Sequence, residues 1–390
     1  MNLKERSFSE LSLIFTFLFF LFFIPVSVSL SHIFLSLSIL FFLYYFLKDK
    51  KRIKTHRIFI ILLAFALFEV ISTFFSIDIE RSLNDLKEVL LFLIVPLTLN
   101  VSQKKEDFKF FNYAFSLAIF LSAILSFLEY KGIIMERDRA SGFLSHYMTQ
   151  SGILMLFSIL SLSLSFSEKG KKRFLWIFLF LLSIFSLILT LTRSAWIGVI
   201  FGLVFIIVLY KPKLLIPFLI LSILIAFISP ESIKKRFIST FDPEDETVKE
   251  RIYMAKAGFK IISKYPIFGT GLDTAKIAYK KFRPPEAVRD VPHLHSNILQ
   301  IGAELGIPAL AVWLLFIIIS FADNFKVWKH SRDRFTKFSG LAGTGAIISL
   351  FIAGLFEFNF GDSEVKMLFL YLITYPIALR KIEENEQKEQ

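Results

Sequence analysis

The 390-residue chain contains no cysteine. Disulfides and thiolate metal sites are therefore excluded, although the absence does not identify a compartment. No P-loop and no Gly-x-Ser-x-Gly elbow occurs, and no strand pattern offers the context of a nucleotide fold. These gaps argue against an NTP-driven transporter and against a serine hydrolase. Alternating apolar and polar barrel strands are missing, as is an Ala-x-Ala-type cleavage site after the first apolar run. No tandem repeat of roughly 20–50 residues is visible. What remains is strongly apolar, with 55% hydrophobic residues and 49 Phe. Runs such as Leu11–Val28 and Ile58–Phe75 hold the roughly 18–20 apolar residues that cross a hydrocarbon core about 30 Å thick. The chain reads as all-α, a polytopic helical membrane protein whose first run is a retained helix.

Twelve spans are expected, at about 10–29, 31–47, 58–76, 89–101, 108–130, 144–166, 174–192, 194–210, 214–229, 296–322, 338–356 and 365–380. The net charge of +12 sits mostly in short connectors, where it acts as a topology signal rather than a nucleic-acid surface. Alternate connectors (48–54, Lys104-Lys105, 169–173, Lys211-Pro-Lys213 and 323–337) are basic, whereas the opposite set includes acidic Ile77–Glu88 and Asn359–Glu364. Both termini are then cytoplasmic, and residues 230–295 form one large loop outside, in the periplasm or its equivalent. The chain divides into a bundle at 1–229, that loop, a three-span bundle at 296–380 and a glutamate-rich, frayed tail at 381–390. Within the loop, Val248, Ile252, Ala255, Phe259 and Ile262 follow helical spacing and predict an amphipathic helix of about 18 residues. It reads as a helix on the bilayer surface with snorkelling lysines, or as a lid with a cationic underside.

Chemistry would gather at the outer ends of the spans. His293 and His295 can accept a hydroxyl proton at physiological pH, and His146 lies at the end of another expected span. A metal on His293-x-His295 needs further ligands, and the nearest carboxylates, Glu286 and Asp290, have no ligand pattern. No metal and no cofactor are expected. Arg137, Arg139, Arg193 and Arg251 map to the same face, where guanidinium groups suit phosphate. Arg193 interrupts two apolar runs, so it sits near the interface or lines a cavity. Interfacial snorkelling is the alternative for each arginine, and a surface role for each histidine. Glu69 and Glu304 fall inside spans, where Glu304 could orient a histidine or an arginine. Asp78-Ile-Glu80 reads as a solvated helix start.

The segment His295-Ser-Asn-Ile-Leu-Gln-Ile-Gly-Ala-Glu-Leu-Gly306 resembles the signature of the O-antigen ligase/polymerase family. That signature is His, then Asn, Ser or Gln, nine residues, Gly, two residues, and Gly, Thr or Tyr. Ala309 stands at the last position, a small-for-small departure. Arg139-Ala-Ser-Gly142, Thr192-Arg-Ser194, and Arg251 followed by Pro266-Ile-Phe-Gly-Thr-Gly271 are similar to further landmarks of that family. The resemblance implies a metal-independent, inverting, multi-span glycosyltransferase of the GT-C type in the bacterial inner membrane. Its donor would be a glycan on undecaprenyl diphosphate, and its acceptor lipid A–core oligosaccharide. His295 would be the base, and Arg139, Arg193 and Arg251 would hold the diphosphate. Arg137, His146, His293, Asn297 and Glu304 would support them. The residues alone leave open whether His293 or His295 is the base. A polymerase or a protein O-oligosaccharyltransferase of the same superfamily is the related alternative. A lipid-linked glycan transporter is the alternative from another class, against which the one-sided residues and the missing two-half repeat both count.

Overall fold

The computed structural model describes residues 6–49, 53–134, 137–228, 230–239, 242 and 244–389. Residues 50–52 of the expected basic connector lie outside the described residues, as do 135–136 before Arg137 and positions 229, 240, 241 and 243 around the expected loop. The structure is 78% helical with no strand among the described residues. The chain order is α1 (Phe8–Phe23), α2 (Val28–Asp49), α3 (Arg57–Phe74), α4 (Ile79–Asp85), a 3-10 helix (Leu86–Leu93), α5 (Ile94–Asn100), α6 (Lys105–Tyr130), α7 (Tyr147–Ser167), α8 (Gly170–Leu189) and α9 (Arg193–Tyr210). A short 3-10 turn (Pro212–Leu214) leads to α10 (Leu215–Ile228), α11 (Glu231–Ile238), α12 (Glu246–Lys264), α13 (Ala275–Phe282), α14 (Asn297–His330), α15 (Arg334–Ala353) and α16 (Ser363–Glu389).

Among the described residues, eight helices are long and apolar enough to cross a membrane: α2, α3, α6, α7, α8, α9, α14 and α15. The other four expected spans fall on α1, the 3-10 helix with α5, α10 and α16, which are shorter or carry more charge. The Asp78 start is capped as expected, its carboxylate accepting the Arg81 N–H at 3.1 Å. The C-terminal glutamates, expected to fray, instead continue α16 to Glu389. Glu383 there accepts the Arg332 N–H at 2.7 Å.

At the centre, α7 packs against α8, α9, α15 and α16, and nearly all its side chains are buried. Its serines make this possible by satisfying themselves locally or across helices. Ser158 pairs with Ser183 of α8 at 2.8 Å, and Ser163 donates to the Phe338 carbonyl of α15 at 2.7 Å. Small residues also bring α9 onto α15, because a Cβ on Gly202 would lie 2.0 Å from Ser349 Oγ.

The turn that aims the site is a break in α14. Gly306 has φ +86°, ψ 172°, just before Pro308, so the helix is two helices joined at a kink. The backbone groups freed there are taken up by the segment after α12. Thr270 N–H donates to the Ala303 carbonyl at 3.0 Å, Gly271 N–H to the Glu304 carbonyl at 2.9 Å, and Ile307 N–H to the Pro266 carbonyl at 2.8 Å. Two sequence landmarks, 266–271 and Gly306, are thus one interlocked structure.

Helix α12 forms where periodicity predicts it, with a second face turned to the protein. Met254, Ala257, Gly258 and Ile261 are buried, whereas Ile252 and Phe259 are exposed. Ala257 and Gly258 are small enough to let the helix meet Leu294 and Leu299 closely, and that packing decides the inward face. With α13 they build a small separate core including Ala275, Ala278, Tyr279 and Ala287.

Candidate functional site

The site begins with His295, one of three non-glycine residues at positive φ (46°) among the described residues. Such a conformation costs on the order of 1–3 kcal/mol and marks a position that its surroundings over-determine. What determines it is the next residue but one. Asn297 donates from its backbone to the Gly354 carbonyl at 2.7 Å and from Nδ2 to Asn359 Oδ1 at 2.8 Å. Its own Oδ1 accepts the Phe360 N–H at 3.1 Å. The start of α14 is thereby fastened to the turn between α15 and α16, and Asn297 is a brace.

That turn delivers a carboxylate which sequence reasoning missed. Glu357 is buried, and His295 Nδ1 lies 2.9 Å from both of its oxygens. Burial pushes the Glu357 acid up, but the hydrogen bond from His295, the charges of both histidines and Arg251 outweigh it and hold the group below its ordinary value. His293 lies close to His295, ring centroids 4.2 Å apart and planes tilted by 59°, with its Nε2 3.7 Å from Glu357, beyond hydrogen-bond reach. Burial first, then the charges of His295 and His146, push the His293 imidazole down to about 4 against the pull of Glu357. It is neutral at physiological pH.

The arginines converge on the break between α8 and α9. Leu191 there has φ 51°, and its carbonyl accepts from Arg139 Nη2 at 2.8 Å and from Arg236 Nε at 3.3 Å. The Arg139 guanidinium also lies over the Tyr147 ring at 4.0 Å. Arg193 is buried, donating to Ser239 Oγ at 3.0 Å and to Asp245 Oδ1 at 3.4 Å. Burial lowers Arg236 to about 10, helped by repulsion from Arg139, Arg193 and Arg251. Burial likewise lowers Arg251, with Glu357 acting in the opposite direction and Arg193 and Arg139 adding to the depression. Four guanidiniums therefore repel one another in one cluster, which Arg251 links to Glu357. Arg139, Arg193 and Arg251 were expected together. Arg236 was not, because in Lys234-Lys235-Arg236 it reads as one cation of a surface run.

His146 caps α7 by accepting the Met148 N–H at 3.3 Å. Burial lowers its pKa, with Arg139 and His295 adding to that effect and Glu357 opposing it, so it borders the same cluster. Arg137 pairs with Glu129 at 3.6 Å and with Ser141, bracing the turn that carries Arg139. Glu304 departs from expectation: its Oε1 accepts the Ala275 N–H at 2.9 Å and caps α13, orienting neither a histidine nor an arginine. Asp290 is held by Lys280 and Arg283. Glu69 is buried in α3, with Oε2 lacking a hydrogen-bond partner among the described residues.

His293, His295 and Glu357 have ligand atoms within 4.8 Å of one another, three of the four donors a zinc ion takes. The third donor is thus Glu357 rather than Glu286 or Asp290. The positive charge of Arg251 beside Glu357 disfavours a further cation there.

Residues 177–314 match the family model described as O-Antigen ligase. The chain carries an O-antigen ligase domain. That match supports a function within the O-antigen ligase/polymerase superfamily, a glycosyltransferase-like enzyme family, and the long apolar helices fit a membrane protein. No curated protein matches the chain. The O-antigen ligase match spans Arg193, Arg236, Arg251, His293, His295, Asn297 and Glu304. Arg139, His146 and Glu357 lie outside it and reach the same cluster through the fold.

Proposed function

We propose that this protein transfers O-antigen polysaccharide from undecaprenyl diphosphate to a sugar hydroxyl of lipid A–core oligosaccharide. The reaction is inverting and uses no metal. The observation that carries this reading is a cluster of four guanidiniums beside a carboxylate-bound imidazole, most of it inside the O-antigen ligase domain. His295 takes the proton of the acceptor hydroxyl, whose oxygen attacks the anomeric carbon of the donor. The bond from that carbon to the diphosphate oxygen breaks, and undecaprenyl diphosphate leaves with the electron pair. Arg139, Arg193, Arg236 and Arg251 stabilise the charge arriving on the leaving group. The bundle is placed in the bacterial inner membrane with both termini cytoplasmic and the loop 230–295 contributing Arg236 and Arg251 from the periplasm. The basic connectors support that orientation.

The test is glycan transfer by purified full-length protein, with lipid-linked donor and lipid A–core acceptor, in the presence of EDTA. Transfer persists in the chelator and is lost in His295→Ala. Full activity of His295→Ala removes the base, and abolition by EDTA with recovery on added zinc removes the metal-free mechanism.

A further inference from the structure

We infer that Glu357 is the positioning residue of the reaction, and that it selects His295 over His293 as the base. The inference rests on the proposed glycan transfer and deepens it by deciding between two adjacent imidazoles. A neutral imidazole carries one N–H and one lone pair, and which nitrogen holds the proton is set by the partner of the other. His295 Nδ1 faces both oxygens of a buried carboxylate at 2.9 Å. A carboxylate accepts only, so Nδ1 bears the proton and Nε2 bears the lone pair. His293 has the opposite assignment. Its Nδ1 accepts the His295 backbone N–H at 3.3 Å, which leaves the proton on Nε2. The His293 Nε2, 3.7 Å from Glu357, is thus a donor, and cannot take a proton from an acceptor hydroxyl.

Glu357 is itself fixed, with Oε1 accepting the Phe358 N–H at 3.1 Å and its turn fastened to α14 through Asn297, Asn359 and Phe360. When His295 takes the proton it becomes an imidazolium already in contact with an anion. Glu357 meets no reacting atom; it acts through the ring that does.

The experiment uses the full-length protein in detergent, measuring kcat and KM for lipid-linked donor alongside direct donor binding. Glu357→Gln lowers kcat by about 10²-fold or more, the usual reach of a general base, with donor KM and binding little changed because the guanidiniums remain. Glu357→Asp, which restores the charge, recovers a substantial part of kcat. His293→Gln lowers kcat at least tenfold less than His295→Gln does. This last comparison needs no substitution at Glu357 and holds even where Glu357→Gln does not fold. Wild-type kcat in Glu357→Gln, or equal losses at the two histidines, overturns the inference while leaving a histidine base in place. Activity surviving in His295→Gln overturns the proposed mechanism as well, so the two failures are distinct.

Discussion

Arg193 offers the sharpest measure of whether the guanidinium cluster works on a leaving diphosphate. Its side chain is 3% exposed at the first turn of α9, held by Ser239 and Asp245. A guanidinium has five N–H donors, more than the contacts to Ser239 and Asp245 use. Removing one preorganised donor from a site of developing charge costs about 10²–10³ in rate, or about 2.7–4 kcal/mol. Arg193→Gln should therefore reduce kcat/KM for glycan transfer by that factor. Arg193→Lys keeps the charge but cannot satisfy Ser239, Asp245 and a phosphate together, so its activity should fall between wild type and Arg193→Gln. Arg193→Gln also strands Asp245, whose acid burial pushes up but Thr247 and Arg193 hold below its ordinary value. The double variant Arg193→Gln/Asp245→Asn separates the two effects, because it should regain melting temperature without regaining rate. Initial rates at saturating acceptor, paired with thermal melts in detergent, read both quantities. A double variant that recovers rate as fully as stability would refute the reasoning, since Arg193 would then serve Asp245 and nothing else.

Two further outcomes follow from the fold. Gly306→Ala places a Cβ 2.2 Å from the Ile267 carbonyl oxygen at a φ of +86°, and strain plus overpacking should cost about 2–5 kcal/mol. An unchanged melting temperature would show that the kink in α14 is not rigid. His293 should impose an acid-side loss of stability. Its folded pKa lies near 4 against an ordinary 6.5, so the unfolded chain binds the extra proton between those values and stability falls as pH drops from about 6.5 to 4. In His293→Gln that portion of the pH dependence of the melt disappears, and an identical profile would count against a buried neutral imidazole.

Much of the site is legible because cations interrupting or ending apolar runs are costly, and cost marks position. Arg139 and Arg193 stand out for that reason, and His295 through the spacing to Gly306. Glu357 carries no such mark: 62 residues beyond His295, it looks like any acid in a short connector. Arg236 hides in a run of lysines for the same reason. The apolar stripe of α12 is legible in the sequence, but the face it packs on the protein is not, because close helix contact selects Ala257 and Gly258 and leaves Ile252 and Phe259 exposed.

The amino-acid order alone determines that this is a helical membrane protein and which side chains could meet an anion, because span length and the expense of charge in hydrocarbon are local properties. Tertiary structure alone decides that Glu357 meets His295, that Arg236 joins Arg139 on one carbonyl, and that Glu304 caps a helix instead of steering a base. Those are pairings between distant segments, set by a kinked α14 and by packing, and no property of the individual segments encodes them.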